Sequence, residues 1–180
     1  MRFIAALLGF ALCLGTASAQ GATTFRHGVV EFSFPGWVAV ERPQRPNREM
    51  RTLVSVQPAD NGEPQRRCEL GMHERPSETY TQDQLNVALR EAAANLTPDR
   101  STTRREMVMV DGVAMLEEDT LSQDGRFEVR SLTRHFVVAG GDHSTTYLLT
   151  CVVVNERRFG AATDIDPIMS SVHISSTSTP

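Results

Sequence analysis

Apolar and polar side chains alternate with a period of two along most of this chain. Val30, Phe32 and Phe34 face one way while Glu31 and Ser33 face the other, the pattern of a half-buried strand. Pro35-Gly36 supplies a turn, and a short strand is predicted over residues 38–41. The next stretch holds Pro43 and Pro46 among charges and reads as a loop. Residues 51–57 form another strand, stopped by Pro58, and Asn61-Gly62 is a hairpin signal. Over residues 67–73, Cys68, Leu70 and Met72 share one face and Arg67, Glu69 and His73 the other.

The period becomes helical over residues 82–96. Leu85, Ala88, Leu89, Ala92 and Leu96 make one apolar stripe. Thr81 with Gln84 has the form of a capping box, and Pro98 follows the last apolar position. Strands return over residues 106–121, with Asp111-Gly112 as a turn or bulge, and over residues 127–138 after a turn at Ser122-Gln123-Asp124-Gly125. Residues 145–155 are the most apolar segment. Tyr147, Leu149, Cys151 and Val153 lie on one face; Leu148, Val152 and Val154 lie on the other. Two apolar faces mark a central strand covered on both sides. A last helical region is expected over residues 156–173, restarted by Asp166-Pro167. Short turns between consecutive strands require a mostly antiparallel sheet. The expected fold class is therefore α+β, a mostly antiparallel β-sheet flanked by helices on both faces, an α/β/α sandwich. It would form one domain over residues 20–174, with residues 175–180 a disordered tail.

The chain start changes the picture. Arg2, an apolar run over residues 3–14, and Ala17-Ser18-Ala19 have the order of a cleavable export signal over residues 1–19. Phe10-Ala11-Leu12 lacks the small residue needed just before a lipidated Cys13. The run is too short for a membrane span, so no transmembrane helix is expected in the mature protein. The expected location is periplasmic or secreted. There Cys68 and Cys151 are expected to pair as a disulfide. The chain of 180 residues has a net charge of −4 and no lysine, and its charges are mixed along the sequence. The lack of a basic stripe argues against nucleic acid as a partner.

The segments Val30-Glu31-Phe32-Ser33-Phe34-Pro35-Gly36-Trp37, Val110-Asp111-Gly112-Val113-Ala114 and Tyr147-Leu148-Leu149-Thr150-Cys151, with Phe159 and the ending at residues 168–172, resemble the PsbP-like superfamily. That group includes the photosystem accessory protein, the Ran-release factor Mog and DcrB-like envelope proteins. The resemblance implies an antiparallel sheet between helices and a non-catalytic binding or assembly role. It brings no catalytic residues.

Candidate chemistry is sparse. Asp142-His143-Ser144 holds the three triad residue types, but as neighbours in a turn they cannot act as nucleophile, base and orienter. His27, His73, His135, His143 and His173 show no zinc-ligand spacing. Asp164-Ile165-Asp166 lacks the further oxygen ligands of a calcium loop. Glu117-Glu118-Asp119 is an acidic patch that could discourage edge pairing or dock a basic partner. Trp37, after a Pro-Gly turn, caps the core or lines a binding surface with Tyr147. No catalytic, cofactor-binding or metal residues are assigned. The expected function is an exported, non-catalytic binding or accessory protein of the bacterial envelope with a protein partner. The alternatives are an inhibitor or immunity-type protein, and a small envelope hydrolase or metal-dependent enzyme in which His73, His135 and Glu128 would have to converge.

Overall fold

The computed structural model describes residues 23–40, 49–59, 65–76, 79–156 and 165–175. The export signal, the Asn61-Gly62 turn and residues 176–180 of the tail lie outside these. Three short strands open the chain: β1 (Thr24–His27), β2 (Val30–Ser33) and β3 (Trp37–Val40). They are followed by β4 (Arg51–Pro58), β5 (Gln65–Pro76) and α1 (Gln82–Asn95). Four long strands come next: β6 (Thr102–Val110), β7 (Val113–Asp124), β8 (Phe127–Ala139) and β9 (His143–Glu156). A one-turn helix α2 (Asp166–Ser170) and β10 (His173–Ile174) complete the described residues.

Seven strands form one sheet in the order β3-β4-β5-β9-β8-β7-β6, and β1-β2-β10 form a second. Every pairing is antiparallel. The β6–β7 link is a two-residue turn with Asp111 at φ 50° and Gly112 at φ 82°. Both values are those of a type I′ turn, whose twist matches the flanking strands. This settles the choice between turn and bulge. The apolar strand β9 is central. It pairs with β5 over twelve residues from each strand and with β8 over thirteen.

Cys68 and Cys151 are register partners on β5 and β9, with Cα atoms 4.0 Å apart, and they form a disulfide. It ties the two halves of the chain together at the middle of the sheet. The main core lies on the same face. Phe32, Val30 and Ile174 of the small sheet, with Ile168 and Met169 of α2, bury against Leu70, Met115, Phe136 and Leu149. The opposite face carries a separate, smaller cluster in which Leu89 of α1 meets Ala114 and Leu116.

The expected sandwich with helices on both faces is therefore incorrect. One face of the large sheet carries α1, and the other is covered by the small sheet. Two-sided apolarity in β9 suggests two covers. Val30 and Phe32 of the small sheet bury against the face with Tyr147, Leu149, Cys151 and Val153, whereas Leu148, Val152 and Val154 on the other face are only half-buried, because α1 packs on β7 and β8. The expected helix over residues 156–173 is also reduced. Residue 156 belongs to β9, residues 157–164 lie outside the described set, and α2 has five residues. Ser171 ends it: its hydroxyl shares its one proton between Ile168 O (2.7 Å) and Ser33 O (2.9 Å) and accepts from Ser33 N (2.8 Å). Side-chain bonds of this kind compete with helix continuation. They also fasten α2 to β2.

Candidate functional site: a groove beside helix α1

Helix α1 forms as its sequence requires, with both halves of the Thr81–Gln84 capping box made. Its rotation, however, is set by amides and not by the apolar stripe. Asn86 is buried; its side chain donates to Gly112 O (2.8 Å) and accepts from Ala114 N (2.8 Å). One turn earlier, Gln82 donates to Val137 O (2.9 Å) and accepts from Ala139 N (3.0 Å). The β7–β8 ladder ends at Met115↔Phe136, so Gln82 takes backbone groups of β8 beyond the last rung. Buried backbone groups left unpaired are costly, which makes these amides anchors of the helix.

This docking turns Gln82, Asn86, Leu89 and Ala93 toward β7 and β8. The predicted stripe is thus only half covered: Leu89 is buried, Leu85 half-buried, and Ala88, Ala92 and Leu96 exposed. The uncovered part forms the wall of a groove of about 470 Å³ between α1 and the sheet. The floor is His135 and Val137 of β8 with Ser144 and Thr146 of β9; Arg75 of β5 and Tyr80 stand at the rim. Arg75 is the register partner of Ser144, and Val137 of Thr146, which puts these four on one face.

The floor is polar where the wall is apolar. Ser144 Oγ and Thr146 Oγ1 are buried and have no hydrogen-bond partner. Their residues are only 1% and 7% exposed. Burying a hydroxyl without a partner costs free energy, and such groups mark places where a ligand or water completes the bonding. Burial, and then the charge of Arg75, hold the His135 imidazole below the ordinary histidine value, while Glu118 opposes this. The floor therefore holds an imidazole that gives up its proton more readily than usual and two buried hydroxyls without partners, with one exposed guanidinium at the rim. Among the described residues no carboxylate pairs with Arg75.

The sequence-derived candidates are not brought together. Trp37 and Tyr147 are both buried in the main core, at 8% and 4% exposure, so neither presents a surface. Tyr147 stacks on Phe136 and its hydroxyl lies 3.4 Å from His27 Nδ1; burial raises its phenol above the ordinary value. Asp142 Oδ1 contacts His143 Nδ1 at 2.6 Å, but Ser144 is the next strand residue and points to the opposite face. His73 bonds Glu49 O, whereas His135 lies in the groove. Glu128 is seven residues from His135 along β8, about 23 Å away, and on the other face. Among the described residues, no three His, Cys, Asp or Glu side chains are grouped to hold a metal.

The acidic patch is neutralised strand by strand. Glu117, 5% exposed, meets Arg134 at 2.7 Å and Arg104 at 2.5 Å; Glu118 pairs with Arg105; Asp119 meets Arg130 at 2.7 Å. Arg130 also reaches Asp166 at 3.0 Å, and Arg134 donates to Met169 O. Two carboxylates hold the Arg130 guanidinium proton more tightly than usual, chiefly through Asp119. A cavity of about 340 Å³ lies within this network. Its charges are satisfied internally and fasten α2 to the sheet, so a docking role for basic partners does not stand. Alternation alone shows three adjacent acids; it does not show that each has an arginine across the ladder. The groove was missed for a related reason, because nothing in a stripe of leucine and alanine says which part stays uncovered. The usable signal was Gln82 and Asn86, two amides at helical spacing inside the face.

Comparisons with known proteins place the fold. No protein-family model and no curated protein matches the chain. Among solved structures it is similar to LpqN, described as involved in cell envelope biogenesis of Mycobacterium tuberculosis. The identity is 8% and the TM-score 0.52, with 88% of this chain and 87% of LpqN covered. It is also similar to a protein of Bacteroides thetaiotaomicron VPI-5482, at 12% identity and a TM-score of 0.46, covering 88% of this chain and 50% of that one. The chain thus spans about half the length of the Bacteroides protein.

Proposed function

We propose that this chain is an exported, non-catalytic accessory protein of the bacterial envelope that binds a protein partner in the groove beside α1. The carrying observation is the groove itself: an uncovered helix wall over a floor with two buried, unpartnered hydroxyls. Neither hydroxyl is hydrogen-bonded to a base, which an activated nucleophile requires; this supports binding over hydrolysis. Export is supported by the signal-like start and by a disulfide in the core, since such bonds persist in oxidising compartments. Among the described residues no helix is long and apolar enough to cross a membrane. LpqN's part in envelope biogenesis fits the same setting, and so does the accessory role implied by the PsbP-like resemblance.

Affinity isolation after mild crosslinking of the envelope tests this. The variant Ala88→Trp fills the groove from an exposed helix position and should leave the core intact. The expected result is one stoichiometric envelope partner held by the unaltered protein and lost from Ala88→Trp. Equal capture by both, or no stoichiometric partner with either, contradicts the proposal.

A further inference from the structure

The chemistry of the groove points to a narrower occupant, and this step rests on the protein-binding reading above. The floor presents donors without acceptors to meet them. Ser144 and Thr146 have free hydroxyls, i and i+2 on one strand and so about 7 Å apart. Arg75 stands directly across the ladder from Ser144 and has no acidic partner among the described residues. Unpartnered hydroxyls on the strand beside an exposed guanidinium, lining the same groove, suit a carboxylate. The wall over them is Leu85, Leu89 and the small Ala88 and Ala92, a surface for one branched apolar side chain.

A second hollow of about 380 Å³ continues this wall over the outer side of α1. It shares Gln84 and Ala88 with the groove and adds Val87, 50% exposed, between Asp83 and Glu91. Neither acid has an ion-pair partner among the described residues. A helix is about 10 Å across, the span of three extended residues. An occupant leading from the groove over this crest would place a residue three positions back beside two carboxylates.

We infer that the groove captures the C-terminal end of a partner chain. The terminal carboxylate meets Arg75, Ser144 and Thr146; the last side chain, branched and apolar, lies against Leu85 and Ala88; a basic residue three positions earlier faces Asp83 and Glu91. Capture of a chain terminus by converging donors is a known mode of peptide recognition. The half-open groove favours a chain end over an enclosed small molecule, which proteins bury on most sides.

The test uses the mature oxidised protein and the peptide acetyl-Arg-Ala-Ser-Leu, titrated by calorimetry and by amide NMR. The free-acid peptide is expected to bind at least tenfold tighter than its C-terminal amide, with shifts at Ser144, Thr146 and residues 84–92. Arg75→Gln, at an exposed position, should remove the preference for acid over amide. Thr146→Val, of the same shape, should weaken the acid peptide about tenfold. Asp83→Asn with Glu91→Gln should lower affinity for this peptide and leave a version with alanine for arginine unchanged. Equal binding of acid and amide, or shifts confined to other faces, overturns the inference. So does 4-methylpentanoate binding as tightly as the peptide, because the occupant is then a free small acid. Envelope capture that is lost in Ala88→Trp yet survives Arg75→Gln and Thr146→Val would retain the protein-binding reading and discard the carboxylate.

Discussion

Removing the disulfide is the perturbation whose size follows most directly from the structure. Cys68 and Cys151 are separated by 83 residues. Opening a loop of that length returns entropy to the unfolded chain worth about 4.5 kcal/mol at 25 °C in the chain-entropy model. For a domain of this size each kcal/mol moves Tm by about 2–4 °C, so the expected fall is about 9–18 °C. Both cysteines are buried at the middle of the sheet, 1% and 0% exposed, so Cys68→Ala with Cys151→Ala adds a smaller packing loss from the missing sulfurs. Wild-type protein refolded under reductant keeps the sulfurs and isolates the loop contribution. Urea unfolding of the three forms separates the two effects. Reduced wild type and the double variant should share a steeper denaturant dependence, because an uncrosslinked unfolded chain exposes more surface. The fold should survive in all three, since the core extends well beyond this pair. A loss below about 1 kcal/mol in the reduced protein, where the model asks for more than four, or two free thiols in the native protein, would refute the reasoning.

Three further outcomes follow from the same contacts. Glu117→Gln strips the buried Arg134 of its carboxylate and should cost about 3 kcal/mol in denaturant unfolding; a loss under about 1 kcal/mol, the range of exposed pairs, contradicts the network's role. Asn86→Ala orphans Gly112 O and Ala114 N and should cost about 2–3 kcal/mol, with amide exchange accelerating across α1 first; unchanged protection in α1 contradicts the anchoring. Burial and Arg75 hold the His135 imidazole below 6.5, so the unfolded chain binds that proton more strongly. Its contribution is therefore fully present above pH 6.5 and is lost as pH falls from there through the depressed folded value. His135→Gln should flatten the stability profile in that window, and an unchanged slope sinks the assignment.

Much of the strand pattern was legible because burial in a sheet imposes a period of two. The alternation at Cys68, Leu70 and Met72 and the Tyr147, Leu149, Cys151 and Val153 face of β9 matched the burial found, whereas Leu148, Val152 and Val154 on the other face are only half-buried. The helix α1 was legible from its caps, which are local. What failed was the identity of layers. Val30 and Phe32 fit a strand in any sheet, and only the packing of the small β1-β2-β10 sheet on the large one makes them a lid over the main core. The site was less legible still. Trp37 and Tyr147 drew notice as large aromatics, yet the same size buries them. Ser144 and Thr146, unremarkable in sequence, become informative because they lie buried without hydrogen-bond partners in the groove beside α1.

The central claim is that the partner sits beside α1. A photocrosslinking amino acid placed at Ala88 on the groove, and separately at the exposed Arg26 on the small sheet, tests it in living cells. The account expects one dominant adduct from Ala88 in the envelope fraction and none above background from Arg26. Adducts of equal yield from both positions, or a dominant one from Arg26 alone, would contradict it.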